Sequence, residues 1–135
     1  MYKFKIRARN AVDFSDYSSE FSIVAATISS QPSAPTTTLS EDGSQVVFTW
    51  NVPSDLGGLT SIDGYKLEVK TSIGTFEKDL TNCNAESSSS TTCSVPVLAL
   101  RSDPFNLGDS NSVYARVTAV NSIGDSTTSV EGNGA

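Results

Sequence analysis

No histidine occurs anywhere in the 135 residues, and there are only two cysteines and one methionine. Histidine is the usual general base near neutral pH and the commonest metal ligand, so most acid–base and metal chemistry loses its first candidate. Two cysteines without histidine leave half of a tetrahedral zinc shell empty. Serines are dispersed through low-complexity loops, with no strand-to-helix elbow to hold a nucleophile. The carboxylates form no recognisable catalytic pair. Catalysis, a resident metal and a cofactor are therefore not expected. No apolar run is long enough to span a bilayer. Positive charge is scarce too: nine Lys and Arg against fifteen Asp and Glu give a net charge of −6. That balance argues against nucleic acid and against an anionic membrane surface as partners.

Ser, Thr and Asn are abundant, Val and Ile come in short runs, and no long stretch has a 3.6-residue period. This composition reads as all-β. One stretch occurs twice. Tyr2–Ser15 (YKFKIRARNAVDFS) and Val113–Ser126 (VYARVTAVNSIGDS) align on Asn10 and Asn121, 111 residues apart. Ala8 then matches Ala119, Ile6 matches Val117, Val12 matches Ile123, and Ser15 matches Ser126. A repeat at that spacing is a whole small domain. Tyr2, Phe4, Ile6 and Ala8 alternate with Lys3, Lys5, Arg7 and Arg9, the mark of a strand with one buried and one wet face. The same alternation puts Val117 and Ala119 in the core. By parity Val113 points inward and Tyr114 lies partly exposed; a bulge that re-aims Tyr114 is the alternative. After Asn10 a turn leads to a second strand over Phe21–Ala26, with Phe21, Ile23 and Ala25 on one face, which makes a hairpin.

The remaining stretches follow in order. Thr27–Pro35 is a joint stiffened by Pro32 and Pro35. Thr36–Leu39 and Gln45–Trp50 are strands separated by the turn Glu41–Ser44. Val52–Ile62 is a loop. Asp63–Lys70 alternates, with Tyr65, Leu67 and Val69 inward. Ile73–Thr75 turns the chain into a strand over Phe76–Leu80. Cys83 and Cys93 flank a polar loop, Asn84–Thr92. A disulfide is expected there in an oxidising compartment, contributing about 2–3 kcal/mol by loop closure; two free thiols are the alternative in a reducing one. Ser94–Leu100 reads as a strand confined to an edge or an end by Pro96. Arg101–Ser112 carries Phe105 and Leu107 as a lid over one end.

The pattern Tyr2-x-Phe4-x-Ile6-x-Ala8-x-Asn10 resembles strand F of fibronectin type III domains, where a tyrosine is followed by alternating apolar residues and Ala-x-Asn. Trp50 with Pro53 resembles the family's Trp-x-x-Pro, and Pro53–Ile62 resembles its Pro-x-x-x-Gly-Gly-x-x-Ile segment, with one residue more between Gly58 and Ile62. The resemblance covers nearly the whole chain, out of register: strands F and G of one repeat, then A to F of the next. The loop cysteines and the Asp103–Ser110 insert resemble repeats in tandem arrays on large protist surface proteins. The resemblance implies an immunoglobulin-like two-sheet β-sandwich with Trp50 between the sheets. Residues 1–30 are then a partial repeat and joint, and residues 31–135 are a domain whose final strand G is truncated.

What this implies about function is a class. The expected role is a non-catalytic structural or adhesion module of a surface or secreted tandem-repeat protein, outside the cell or on its surface, acting on protein partners. Those partners are neighbouring repeats or identical chains. An accessory spacer of a secreted enzyme and an intracellular scaffold repeat are the alternatives. A spare strand near the start and a missing one at the end also suggest assembly. Phe21, Ile23 and Ala25 would fill the open edge of a neighbouring molecule, giving head-to-tail homo-oligomers or filaments. Asp13, Asp16, Glu20, Asp103, Asp109 and Asp125 are oxygen ligands in loops, but their spacing matches no calcium loop and they read as solvated turn carboxylates. No Asn-x-Ser/Thr sequon occurs.

Overall fold

The computed structural model describes all of residues 1–135. Its strands are β1 (Tyr2–Phe4), β2 (Phe21–Ile23), β3 (Thr36–Leu39), β4 (Gln45–Thr49), β5 (Gly64–Lys70), β6 (Phe76–Glu77), β7 (Thr92–Pro96), β8 (Ala115–Asn121) and β9 (Gly124–Asp125), with one helical turn, α1 (Val97–Leu100). They form three antiparallel sheets: β1-β2, β3-β4-β7 and β6-β5-β8-β9. The last two face each other as an immunoglobulin-like β-sandwich. Strands and one short helical turn are the only regular elements, as the composition predicts.

Alternation builds the core. Val46 and Phe48 of β4 point inward between exposed Gln45 and Thr49. Across the gap, Tyr65, Leu67 and Val69 of β5 and Ala115, Val117 and Ala119 of β8 are buried. Trp50 lies between the sheets, its ring edge-on to Tyr65 at 5.5 Å. Val113 is buried and Tyr114 half-buried, the order that a period of two requires. Phe105 and Leu107 close one end of the core, with 2% and 6% of their surfaces exposed.

Several expected elements differ. The strand expected over Ser94–Leu100 stops at Pro96, and Val97–Leu100 coils into α1. Proline cannot donate to a ladder, yet its fixed φ suits the entry to a helix. The turn swings Leu100 into the core and leaves Leu98 outside. The strand expected over Phe76–Leu80 is two residues long, because the Asp79 carboxylate accepts the Thr81 and Asn82 N–H groups and folds the chain into a turn. Cys83 and Cys93 are joined by a disulfide that ties this turn region to β7, where Cys93 sits opposite Phe48.

The third correction concerns the last strand. The edge of β8 is not open. Beyond β9, the chain runs antiparallel to β8 to its last residue. Ser126, Ser129, Gly132 and Ala135 donate their N–H groups to the carbonyls of Ala119, Val117, Ala115 and Val113. Three residues of this segment pass for every two of β8. An ordinary strand would lose the β8 donors at such a mismatch. Here serine recovers them: Ser126 Oγ accepts the Ala119 N–H and Ser129 Oγ accepts the Val117 N–H, each at 3.0 Å. Each hydroxyl then donates to the next residue's carbonyl, Thr127 or Val130. One serine thus supplies the donor and the acceptor that a paired strand residue would supply.

The first hairpin repeats this pairing at its two serines. β1 and β2 pair only as Tyr2↔Ile23, Lys3↔Ser22 and Phe4↔Phe21, shorter than the strands expected over Tyr2–Asn10 and Phe21–Ala26. Between them Ser18 N–H bonds Ile6 O and Ser15 N–H bonds Ala8 O. Ser18 Oγ accepts the Ile6 N–H at 3.1 Å and Ser15 Oγ accepts the Ala8 N–H at 3.0 Å.

Ser129→Ala should leave the buried Val117 N–H unpaired and cost about 1–3 kcal/mol of unfolding free energy. The exposed counterpart Ser18→Ala should cost the sandwich nothing. Denaturant titrations of both variants check this, and equal midpoints would refute it. Reduction of Cys83–Cys93, separated by 10 residues, should cost about 2–3 kcal/mol, measured as the fall in urea midpoint on adding reductant.

Candidate functional site: the hairpin and its joint with the sandwich

The titratable side chains do not converge on a reaction centre. Glu20 pairs with Lys3 at 2.7 Å, Asp125 with Lys66, and Asp109 with Arg101. Asp13 accepts the Phe14 N–H. No three of the chain's Cys, Asp and Glu side chains lie together as a metal site would need. Burial pushes the Tyr65 hydroxyl pKa up.

The exposed surface is most unusual on the hairpin. Tyr2, Phe4 and Ile6 are 60%, 49% and 75% exposed, and Phe21 and Ile23 are also open to solvent. Their matches 111 positions on, Val113, Ala115 and Val117, are core residues of the sandwich. The same pattern is therefore present twice, once covered and once bare. Of the expected donor residues, Phe21 and Ile23 are already paired with β1, and Ala25 lies past the end of β2.

The opposite side of the hairpin holds a stack that the alternation does not reveal. The Arg7 guanidinium lies 3.9 Å from the Phe14 ring centre and 5.0 Å from that of Tyr17, and Arg9 is 5.1 Å from Phe14. Phe14 and Tyr17 each stand one place before a bonding serine, so a three-residue spacing puts both rings on the side of Arg7. That spacing, Phe-Ser-x-Tyr-Ser, was the available signal. In the sandwich the matching residues are Thr118 and Thr128, whose hydroxyls meet at 2.7 Å instead.

Between hairpin and sandwich the chain runs over the loop that precedes β5. Thr27 N–H bonds Gly57 O at 2.9 Å, and Ser30 N–H bonds Asp55 O at 2.8 Å. Ser30 Oγ accepts the Asp55 N–H at 3.1 Å. This is the serine pairing of the sandwich edge again, with three residues of the joint against two of the loop. Asn121, at the end of β8, donates its side-chain N–H groups to Thr27 O and to Leu56 O at 2.9 and 3.2 Å. Its Oδ1 accepts the Ile123 and Gly124 N–H groups and forms the turn beyond β8. Ser29, Pro32 and Pro35 are buried. Gly57 is required here: its φ is +74°, and a Cβ would enter the space of the Thr27 and Ile28 carbonyl oxygens.

At the far pole a cleft of about 270 Å³ is lined by Leu39, Val46, Val97, Leu100, Leu107 and Val113. Beside it, the tight turn into β4 holds Asp42, whose carboxylate accepts the hydroxyls of Ser40 and Ser44 and the Ser44 N–H. These bonds hold its pKa at about 2, with the Ser40 hydroxyl the largest cause. A lowered folded value means the contribution is complete above the ordinary aspartate pKa and is lost as pH falls through about 2. Urea midpoints from pH 5 to pH 2 should fall more steeply for the wild-type chain than for Asp42→Asn; parallel curves would refute the assignment.

No protein-family model matches the chain. Solved structures do. A crystal structure of titin domains superposes with a TM-score of 0.64 at 21% identity, covering 98% of this chain and 39% of that one. A structure of titin kinase and its flanking domains gives 0.58 at 22%, covering 82% and 17%. This chain thus spans well under half the length of either. An Fn3-like protein from Clostridium thermocellum gives 0.51 at 17% identity, covering 80% and 90%. The layer order β3-β4-β7 over β6-β5-β8-β9, the Trp50 core and these superpositions agree: the chain has the fibronectin type III fold.

Proposed function

We propose that the chain is a non-catalytic module of a tandem-repeat surface or secreted protein, and that it works by protein contact between neighbouring repeats. Residues 1–30 are the last hairpin of one repeat with its joint, and residues 31–135 are the next repeat. The observation that carries this is the serine-borne pairing of Ser15 and Ser18, reproduced 111 residues later by Ser126 and Ser129. The extent of the matches supports it: the multidomain titin structure covers 98% of the chain, whereas the Fn3-like protein covers 80%. The disulfide Cys83–Cys93 supports an oxidising location.

Head-to-tail strand donation has less in its favour. Its acceptor would be the edge of β8, and residues 124–135 occupy that edge. Contact between repeats then runs through the joint and the poles of the sandwich.

Amide exchange on the whole chain tests the reading with built-in controls. An isolated hairpin with a bare apolar face is marginal in water. The Ser15 and Ser18 amides should therefore exchange at least ~100-fold faster than Ser126 and Ser129, which make the same bonds over a core. Equal protection, or a mass above the monomer by light scattering, would overturn it in favour of self-assembly through the hairpin.

A further inference from the structure

We infer that the near pole of the sandwich is a docking surface for the chain that arrives from the preceding repeat, and that it fixes the direction of that repeat. The occupant is this chain's own segment Ala25–Gln31. The inference rests on the tandem reading above and adds to it a geometry and a set of residues.

A loose linker needs only length. This segment instead has a register, set by four groups. Thr27 and Ser30 donate to Gly57 O and Asp55 O, and Ser30 Oγ takes the Asp55 N–H in return. The Asn121 carboxamide bridges the segment to the loop, binding Thr27 O and Leu56 O. Gln31 Nε2 adds a bond to Thr128 O at 2.6 Å, fixing the segment to the edge beyond β9. Sterics select the same path. Gly57 and Gly58 let the backbone carbonyls of Thr27, Ile28 and Ala25 approach closer than any side chain would permit, and the Ile28 side chain packs on Gly124. Only three residues, Val24, Ala25 and Ala26, separate β2 from Thr27, the first hydrogen-bonded residue of the segment. That keeps the preceding repeat within about 10 Å of the docked segment once Thr27 is held.

The surface reads the peptide backbone and small side chains. Its donors and acceptors meet main-chain groups, so an incoming segment needs a serine at the Ser30 position and no bulk against the two glycines. The hairpin bears half of an equivalent surface. Asn10, the match of Asn121, makes the same turn, its Oδ1 accepting the Val12 and Asp13 N–H groups at 2.8 and 2.9 Å.

The experiment is NMR on the full chain. Backbone order parameters across residues 25–31 are expected near the rigid value of about 0.85, and the Thr27 and Ser30 amides are expected to be protected from exchange. Gly57→Ala should accelerate exchange at both by ~10-fold or more, the loss of about one backbone bond, while the Val97 amide, bonded to Ser44 at the far pole, keeps its rate. Ser30→Ala, a change at the molecular surface, should accelerate the Asp55 and Ser30 amides and leave the fold intact, so the inference stays testable if Gly57→Ala does not fold. Order parameters below about 0.6 in the wild-type chain, or Ser30 and Thr27 rates unmoved in both variants, would overturn it. The tandem reading is judged separately, at Ser18 against Ser129.

Discussion

A serine that pairs through its own N–H and its own hydroxyl at once is the interaction on which this structure depends. It occurs at Ser15 and Ser18 on the hairpin, at Ser126 and Ser129 on the sandwich, at Ser30 in the joint, and at Ser40, which exchanges bonds with Gln45 at the turn into β4. A buried backbone N–H without a partner costs about 1–3 kcal/mol. The out-of-step pairing of the last segment with β8 would incur that cost twice, at Val117 and Ala119. The hydroxyls remove it and let the edge of the sheet close with a segment that is not itself a regular strand.

Much of the fold was legible because apolar alternation is a direct image of burial. Tyr65, Leu67, Val69, Val117 and Ala119 all carry that signature and lie in the core, and Trp50, placed there by the resemblance of its Trp-x-x-Pro, joins them. The final edge segment was not legible for the same reason. Ser126, Thr127, Thr128 and Ser129 have no apolar period, since the residues that matter there act through hydrogen bonds. A reading tuned to a period of two sees no strand, infers an open edge, and from it a filament. The signal that does mark the segment is a period of three: Ser15 and Ser18 recur as Ser126 and Ser129.

The joint was half legible. Pro32 and Pro35 announce stiffness, and Gly57-Gly58 announces a turn. Neither announces that the two stretches touch, because Thr27 and Gly57 meet only after the sandwich brings the loop before β5 beside the end of β8. Asn121 has a local duty in its own turn and a distant one at Thr27, and only the first can be read from neighbouring residues. The Arg7 stack is similar: alternation puts Arg7 outward, and the rings of Phe14 and Tyr17 find it through the three-residue pitch of the opposite arm.

That pitch also governs how freely the edge can change over evolutionary time. A paired strand on a sandwich commits every second side chain to the core. The serine-borne segment commits every third residue, and the two between are released from both core and ladder. In the hairpin those free places hold Asp16 and Tyr17, and in the sandwich they hold Thr127 and Thr128. One backbone arrangement thus displays an arginine–aromatic stack in one copy and a threonine pair in the other. The edge is a strip on which successive copies can diverge in surface chemistry while their skeleton stays the same.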